Sequence, residues 1–577
     1  MDNKLIADLF AEIAAMLSLD DKPTIRFEVR AYQKAAQTVS SLQEPIEDIY
    51  KRGGMAALME LPGVGKGIAG SIEEFIKTGR MSKYEMLKKK YPIDMKGLTS
   101  IQGLGARKAL ALYKALGVKD IPTLKKAIAA HKISKLEGFG EKSEEMMQKG
   151  LDLLASSSGR MLLGEALPVA EEIVSKLKKS GLVDEALVAG SARRMRETVG
   201  DLDILALSGK SAQVMKFFEK LPEVEETIAE GPTRTAVRLK IGLNCDLRVI
   251  PVESFGAAVQ YFTGSKDHNI QVRTISVRKG YKLNEYGLLD RKGRIMPTKD
   301  EEGIYAKLGM QWMPPEMREA RGEVQLAQRN ELKMPVELKD IRGDMHTHGR
   351  DKDWNTDPLP QMAGTAASLG YKYFASTNHT KSLNVENGMD EKQFAAFFKQ
   401  VDALNRKLDG RIRILKGAEC DILKDGSLDL DAKSLKSMEW VVGSVHSAFN
   451  QSEQEMTRRV VKAIDSGLIN VLGHPTGREM PSRDAYKIDL EKVYEACERN
   501  MVALEINAQP KRLDLNDTNI MAASKYKVKF AISSDAHRTP QFGYMRYGVG
   551  TARRGWLTKD RVINAMGLKE LERYLEI

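Results

Sequence analysis

Cysteine is nearly absent from this chain: three in 577 residues (Cys245, Cys420 and Cys497), odd in number and far apart. That excludes a disulfide framework and any zinc site built on clustered thiolates, and it fits a reducing compartment. Nowhere do roughly 18 apolar residues run together, so no segment reads as a membrane-spanning helix. The opening residues, Met1-Asp2-Asn3-Lys4-Leu5-Ile6, lack a basic stretch ahead of an apolar core, so a cytoplasmic protein without a membrane partner is expected. Aromatics make up only 6% of residues, and histidines number eight. What the sequence has instead is charge. Lys and Arg number 90 against 79 Asp and Glu, a formal +11 with a pI near 9.1. Such a balance favours a polyanionic partner, nucleic acid before an acidic membrane surface. With 42% hydrophobic residues, a chain of this length should hold several domains, each with its own core.

The most informative stretch is residues 190–203, Gly190-Ser191-Ala192-Arg193-Arg194-Met195-Arg196-Glu197-Thr198-Val199-Gly200-Asp201-Leu202-Asp203, followed by the apolar run Ile204-Leu205-Ala206-Leu207. A Gly-Ser turn with two arginines offers backbone N–H groups and fixed positive charge to a polyphosphate. The apolar run reads as a strand whose first residues carry Asp201 and Asp203. A period of two puts both carboxylates on one face. Two carboxylates aimed together call for a cation, and hard oxygen ligands suit Mg²⁺ or Mn²⁺. This is the equipment of nucleotidyl transfer.

The first third of the chain reads as short amphipathic helices, with Leu5, Leu9, Ile13 and Leu17 at helical spacing. One phrase recurs there: Leu61-Pro62-Gly63-Val64-Gly65-Lys66, then Ile101-Gln102-Gly103-Leu104-Gly105-Ala106-Arg107-Lys108, then Leu136-Glu137-Gly138-Phe139-Gly140-Glu141-Lys142. The glycines allow tight turning and close approach, and the helix that follows presents unpaired N–H groups to a phosphate. The phrase resembles the helix-hairpin-helix motif, which holds the DNA backbone without reading sequence. The resemblance implies DNA contacts at Gly63, Val64, Gly65, Lys66, Gly103, Gly105, Arg107, Lys108, Gly138 and Gly140. It also implies a monovalent cation, Na⁺ or K⁺, near Thr99, Ile101 and Leu104.

Beyond a small-residue linker at residues 155–159, a helix over residues 167–179 leads to the 190–203 stretch. In-line displacement with two metals needs a third carboxylate from a neighbouring strand. Asp246 in Asn244-Cys245-Asp246-Leu247-Arg248-Val249-Ile250 is the candidate, with residues 235–241 pairing as a hairpin around Gly242. This carboxylate set resembles that of the polymerase β-like nucleotidyltransferases. Tyr261-Phe262-Thr263-Gly264-Ser265, with Asn269 and Arg273, is similar to the phrase family X DNA polymerases use at the nascent base pair. The resemblance implies that Gly190, Ser191, Arg194 and Gly200 contact the triphosphate, with Gly264 in the same pocket. It places Tyr261 and Phe262 beside the sugar, disfavouring a ribose 2′-hydroxyl, Asn269 at the base edge, and Arg273 on the template side. Asp201 and Asp203 would bind both catalytic metals and Asp246 the one at the primer 3′-hydroxyl. One departure stands out. Relatives that excise a 5′-deoxyribose phosphate carry a Schiff-base lysine where this chain has Ser71, which forms no imine.

After Met334-Pro335 the texture changes to alternating strand–helix units. Seven apolar runs end near Met345, Ala375, Lys416, Val445, Leu472, Ile506 and Ser533, a pattern that suggests a βα barrel with functional groups at the C-terminal strand ends. Six of the eight histidines fall at or just after such runs. The set is His346, His348, Asp353, His379, Glu419, His446, His474, Asp535 and His537: nine N/O ligands and no thiolate, enough for two or three metals. Their order resembles the polymerase and histidinol phosphatase (PHP) domain. That implies a distorted seven-stranded barrel and a multinuclear site for phosphoester hydrolysis, holding Mn²⁺ or Zn²⁺. The usual Thr-Asp-His reads Thr377-Asn378-His379 here, which removes an acidic neighbour of the ligand. Lys511 or Arg512 is expected to hold substrate phosphate.

The expected architecture is therefore multidomain. An all-α helix-hairpin-helix region covers residues 1–85 and a fingers-like helical part 86–155. An α+β palm covers 156–255 and a small thumb 256–320. A linker at 321–338 precedes an α/β PHP barrel at 339–577. The combination resembles bacterial and archaeal family X DNA polymerases. It implies a monomer that uses gapped or primer–template DNA and deoxynucleoside triphosphates, with a 3′→5′ exonuclease beside the polymerase; cutting at abasic sites is left open. Two other readings compete with this one: a non-polymerising nucleotidyltransferase fused to a small-molecule phosphatase, and a DNA-binding scaffold with degenerate domains. The hairpins with the Tyr-Phe-Thr-Gly-Ser phrase argue against the first, and the complete carboxylate and histidine sets against the second.

Overall fold

The computed structural model describes residues 3–576 apart from 20–21, 43–45, 62, 100–103, 137, 141–142, 145–146, 149–159, 299, 352–355 and 384–386. Among the described residues no strand precedes Met161, and the first third is helical as expected. The opening helix, Asn3–Leu17, buries Ile6, Phe10, Ile13 and Leu17. Ile13 and Leu17 are two of the positions expected from the helical spacing, Phe10 packs edge-on to Tyr32 at 5.4 Å, and Leu9 is partly buried against the same core. The expected small-residue linker at 155–159 lies outside the described residues. No helix among those described is long and apolar enough to cross a membrane.

The palm is a five-stranded sheet. Its strands are β2 (Glu185–Val188), β4 (Asp201–Leu207), β5 (Val224–Glu230), β6 (Arg234–Leu239) and β7 (Asn244–Ile250), in the order β2-β4-β7-β6-β5. A two-residue strand β1 (Met161–Leu162) pairs with β3 (Thr198–Val199) beside it. Period-two alternation decides the function of each face. Leu202, Ile204 and Ala206 of β4 and Cys245, Leu247 and Val249 of β7 pack under the helices Leu163–Lys179 and Ser211–Glu219. The opposite face carries Asp201, Asp203 and Leu205 on one strand and Asp246, Arg248 and Ile250 on the other. There Leu205 and Ile250 meet the helix Phe255–Thr263.

The thumb follows, with a hairpin of β8 (Lys282–Asn284) and β9 (Gly287–Leu289) against the helices Lys266–Arg278 and Glu301–Lys307. Its core extends further than expected. Residues 321–332, read as a linker or joining helix, pack into the thumb: the helix Glu323–Arg329 buries Val324 and Ala327 in the thumb core, and Leu332 joins them. Val336 already belongs to the next core, so the joint is confined to residues 333–335.

The last part is a seven-stranded all-parallel sheet in sequence order: β10 (Gly343–Thr347), β11 (Tyr373–Ser376), β12 (Arg413–Asp421), β13 (Trp440–Ser444), β14 (Val471–Leu472), β15 (Ala503–Asn507) and β16 (Phe530–Ser533). A bridge between Thr347 and Ala536 brings the first strand back to the last and nearly closes the ring. Met345, Tyr373, Leu415, Trp440 and Val442 fill the interior, with Leu571 from the C-terminal helix among them. One strand runs longer than the sequence suggested. β12 continues past Lys416 to Asp421, pairing with β11 through Lys416 and with β13 from Gly417 onward, so Glu419 stands inside the strand. This domain also completes the palm: Leu513 and Tyr547 are buried in the palm core.

Candidate functional site

In the palm, the carboxylates converge as the strand pattern requires. Asp203 and Asp246 are direct partners in the parallel β4–β7 pair, and Asp201 stands opposite Asn244. Asp246 accepts from Arg234 Nε at 2.8 Å. The buried Cys245 thiol reports the local field: burial pushes its pKa well above the ordinary value, and Asp246, Asp203 and Asp201 push it further. Three carboxylates of one sign, with oxygen donors only, fit divalent cations.

The Gly190 turn is pinned to the same strand. Ala189 N–H donates to the Asp203 carbonyl at 2.8 Å. Gly190 then turns at φ 62°, and a Cβ there would lie 2.4 Å from Asp203 Oδ2. Only glycine lets the chain pass this close in a left-handed conformation. The two arginines after it face the thumb. Arg193 forms a two-pronged pair with Glu301 at 2.6 and 3.0 Å. Arg194 donates from Nε to Glu319 at 3.1 Å and from Nη1 to the Thr263 carbonyl at 2.6 Å, beside Gly264. Burial pulls Arg194 below the usual guanidinium range, against the pull of Glu319.

Tyr261 and Phe262 stack edge-on at 5.0 Å, with Arg273 over the first ring at 5.4 Å and Arg248 over the second at 4.7 Å. Asn269, expected at the base edge, is tied to this pair through the Tyr261 backbone. It is buried, donating to the Tyr261 carbonyl at 2.7 Å and accepting from Gln260 at 2.8 Å. One residue was missed in the sequence. Arg160 donates to Thr198 Oγ1 at 2.9 Å, and its Nη1 lies 3.4 Å from where a Gly200 Cβ would be. Nothing in its own neighbourhood, Ser158-Gly159-Arg160-Met161, signals a phosphate site.

In the barrel, the histidines gather around two carboxylates. Glu419 Oε2 lies 3.2 Å from His346 Nε2 and 2.8 Å from His379 Nδ1. Glu419 Oε1 lies 3.1 Å from His446 Nε2 and 3.0 Å from His474 Nε2. Asp535 Oδ1 is 3.2 Å from His348 Nε2, and the His537 ring stacks on His348 at 4.1 Å. Three ligand groups have atoms close enough to share an ion: His348, His379 and His537; His346, His348 and Asp535; His379, Glu419 and His446. Eight of the nine predicted ligands thus meet; Asp353 lies outside the described residues.

The donors fit metal ions. His346 Nε2, both ring nitrogens of His348, His379 Nδ1 and His474 Nδ1 are buried without a hydrogen-bond partner. Burial and the neighbouring His537 and His379 hold His348 well below its usual pKa, in the neutral form that ligates. Burial works against charge on Glu419, yet His346, His446 and His379 outweigh it and hold the carboxyl well below the usual range. Two supporting carboxylates went unread in the sequence. Glu505 Oε1 is 2.7 Å from His346 Nδ1, and Asp421 meets His446 Nδ1. Each orients a ring toward the cluster. Asn378, at the position usually acidic, has a structural reason: it accepts from Gly349 N–H at 3.1 Å and returns a bond to the Gly349 carbonyl. Arg512 stands 3.9 Å from Asp535 with a buried Nη1 that has no partner, whereas among the described residues no ion pair joins Lys511 to the cluster.

In the helical region, Gly63 and Gly138 both turn at φ 82°, and Gly65 and Gly105 cap the helices Lys66–Thr78 and Ala106–Leu116. Lys66, Arg107, Lys108 and Gly140 face solvent, while Val64 and Leu104 are buried as hairpin supports. Ile101 and Gly103 lie outside the described residues, as does the side chain of Thr99, so the monovalent-cation site stays an expectation.

Family models match four parts of the chain: a helix-hairpin-helix domain over residues 1–81, a SAM-like helix-hairpin-helix tandem over 95–152, a DNA polymerase beta thumb over 258–319, and a PHP domain over 344–539. The chain is 36% identical over its whole length, and that of the relative, to DNA polymerase/3′-5′ exonuclease PolX of Bacillus subtilis (strain 168). A probable phosphatase of Thermoanaerobacter sp. (strain X514) is 27% identical over 243 residues, 40% of this chain and 94% of that protein. A solved ternary complex of Leishmania infantum polymerase beta is 23% identical, covering 39% of this chain and 97% of that one, with a TM-score of 0.30.

Proposed function

Because the chain belongs to the family X DNA polymerases that carry a PHP domain, we propose that it fills short gaps in DNA during repair and trims the primer it extends. It is a DNA polymerase and 3′→5′ exonuclease, the pair of activities in its full-length relative's name. The observation that carries the division of labour is the separation of two donor sets, three carboxylates on the palm sheet and a histidine-rich cluster in the barrel.

In the palm, Asp201, Asp203 and Asp246 would hold Mg²⁺ or Mn²⁺, which supplies acidity for the primer 3′-hydroxyl and charge for the leaving pyrophosphate. The Gly190 turn, Ser191, Arg194, Gly200 and Arg160 bind the triphosphate of a deoxynucleotide. Tyr261 and Phe262 line its sugar, and Arg273 meets the template side. Asn269, oriented by Tyr261 and Gln260, has a second N–H and a second lone pair on its amide to offer a base edge. In the barrel, His346, His348, His379, Glu419, His446, His474, Asp535 and His537 would hold Mn²⁺ or Zn²⁺, with Arg512 receiving the phosphate of the 3′-terminal nucleotide. The hairpin regions grip duplex on either side of a gap through exposed Lys66, Arg107 and Lys108.

The test compares single-turnover extension of one labelled primer on a short gap with a 5′-phosphate and on an open template. A faster, tighter reaction on the gap is expected. Equal rates and affinities on both would remove the repair assignment while leaving polymerisation itself intact.

A further inference from the structure

The barrel domain reaches into the nucleotide pocket of the palm. The helix Met545–Arg554 lies against the 190–200 turn: Gly550 leaves room for Met195, whose side-chain atoms would come within 2.6 Å of a Cβ there. At the end of this helix stands Arg554, 5% exposed. Its Nη1 donates to the Arg194 backbone carbonyl at 2.8 Å and to Glu319 Oε1 at 2.9 Å. Its Nη2 donates to Asp517 at 2.7 Å, and Asp517 also pairs with Arg321 at 3.1 Å. Glu319 Oε1 is therefore shared between Arg554 of the barrel and Arg194 of the palm, with Arg196 3.5 Å from the other oxygen.

We propose that Arg554 is a positioning residue for DNA synthesis: it fixes the Arg194 backbone and serves as the standing counter-ion of Glu319, so that Arg194 is free to leave that carboxylate for a nucleotide triphosphate. The reasoning is electrostatic. Arg194 and Glu319 are both largely buried, and withdrawing one member of a buried pair leaves an uncompensated charge, unless a second partner remains. Arg554 is that partner, and its three hydrogen bonds keep it in place. Without it, Glu319 holds Arg194 more firmly and the turn loses an anchor. Both effects weaken triphosphate binding. The barrel thus contributes to the polymerase pocket as well as to its own site. This rests on the reading that Arg194 binds the triphosphate.

The experiment measures KM and kcat for a deoxynucleoside triphosphate on gapped DNA, and exonuclease rate on the same primer, for wild type, Arg554→Ala, Arg554→Lys, Arg194→Ala and the double alanine variant. The expected result is a KM raised roughly tenfold or more in Arg554→Ala, the scale of a lost charge-assisted hydrogen bond, with kcat less affected and exonuclease rate unchanged. Arg554→Lys, which keeps the charge, should recover part of the loss, and it also serves if the alanine variant fails to fold. The double variant should be no worse than Arg194→Ala alone, since Arg554 acts through Arg194. A raised KM in Arg194→Ala with a normal KM in both Arg554 variants overturns the proposal alone. A normal KM in Arg194→Ala overturns the underlying reading. Parallel loss of both activities in the Arg554 variants marks a structural role and also overturns the proposal.

Discussion

Gly190 and Asp203 are fitted so closely that a single methyl group on the first would lie 2.4 Å from a carboxylate oxygen of the second. The Gly190 turn and the Asp201–Asp203 strand are one piece of structure, held by the Ala189 to Asp203 backbone bond. Gly190→Ala should therefore displace Asp203 and strain a left-handed backbone, at a cost of about 1–3 kcal/mol. The expected outcome is a fall of roughly a hundredfold in primer extension, as for loss of a charge-stabilising group, with exonuclease activity on the same primer unchanged. Unimpaired extension would mean that Asp203 is not held where the reaction needs it.

Glu505 accepts from His346 at 2.7 Å and also from the His474 backbone N–H at 2.5 Å. Glu505→Gln keeps the volume but removes the charge that orients these groups. Metal affinity of the barrel should drop roughly 10- to 100-fold, read by metal titration monitored calorimetrically, and degradation should weaken at limiting Mn²⁺ and recover at saturating Mn²⁺. Extension measures the palm and should stay constant.

Glu301 gives the pH dependence of stability. It is buried between Arg193 and Arg318, and despite the burial its carboxyl is held down to about 2 by Arg318 and Arg193. The folded state keeps it ionised while the unfolded chain protonates near 4.5. Its contribution is therefore complete above pH 4.5 and fades as pH falls toward 2, and the shift corresponds to about 3 kcal/mol. Chemical denaturation of wild type and Glu301→Gln should show a stability gap of that order at pH 7 that narrows steadily below pH 4.5. A gap independent of pH would contradict the assignment.

Ser71 is 9% exposed, and its hydroxyl donates to the Gly67 carbonyl at 3.2 Å. That helix carries Lys66 five residues before Ser71 and Lys77 six after it; Lys66 faces solvent and Lys77 is exposed in a pair with Glu73. Borohydride treatment in the presence of 5′-deoxyribose-phosphate DNA should trap no covalent adduct. A stable crosslink would show that another lysine performs the lyase step.

Much of this was legible in the sequence because period and spacing carry it. Asp201, Asp203 and Asp246 share a face by strand alternation, and the hairpin at Gly242 and seven barrel strands follow from apolar runs bounded by turns. The histidines could be recognised as a set because each falls at or just after a strand end. What the sequence hid depends on contacts between distant segments. Glu505 and Asp421 are ordinary acidic residues until the barrel aims them at His346 and His446. Arg160 reaches Gly200 only through the β1–β3 pairing. The charged texture of residues 321–332 suggested a linker or joining helix, but of its few apolar residues Val324, Ala327 and Leu332 are buried in the thumb core and Leu326 packs against it. Nor does local pattern show that Leu513 and Tyr547 finish the palm core or that Arg554 bonds to Arg194.

A labelled primer on gapped DNA with Mn²⁺, followed in wild type, Asp201→Ala and His346→Ala, asks whether one chain carries two opposed activities on the same primer end from separate donor sets. Asp201→Ala should abolish extension and leave degradation, and His346→Ala should abolish degradation and leave extension. Extension by Asp201→Ala, degradation by His346→Ala, or loss of both activities in either properly folded variant would contradict the account.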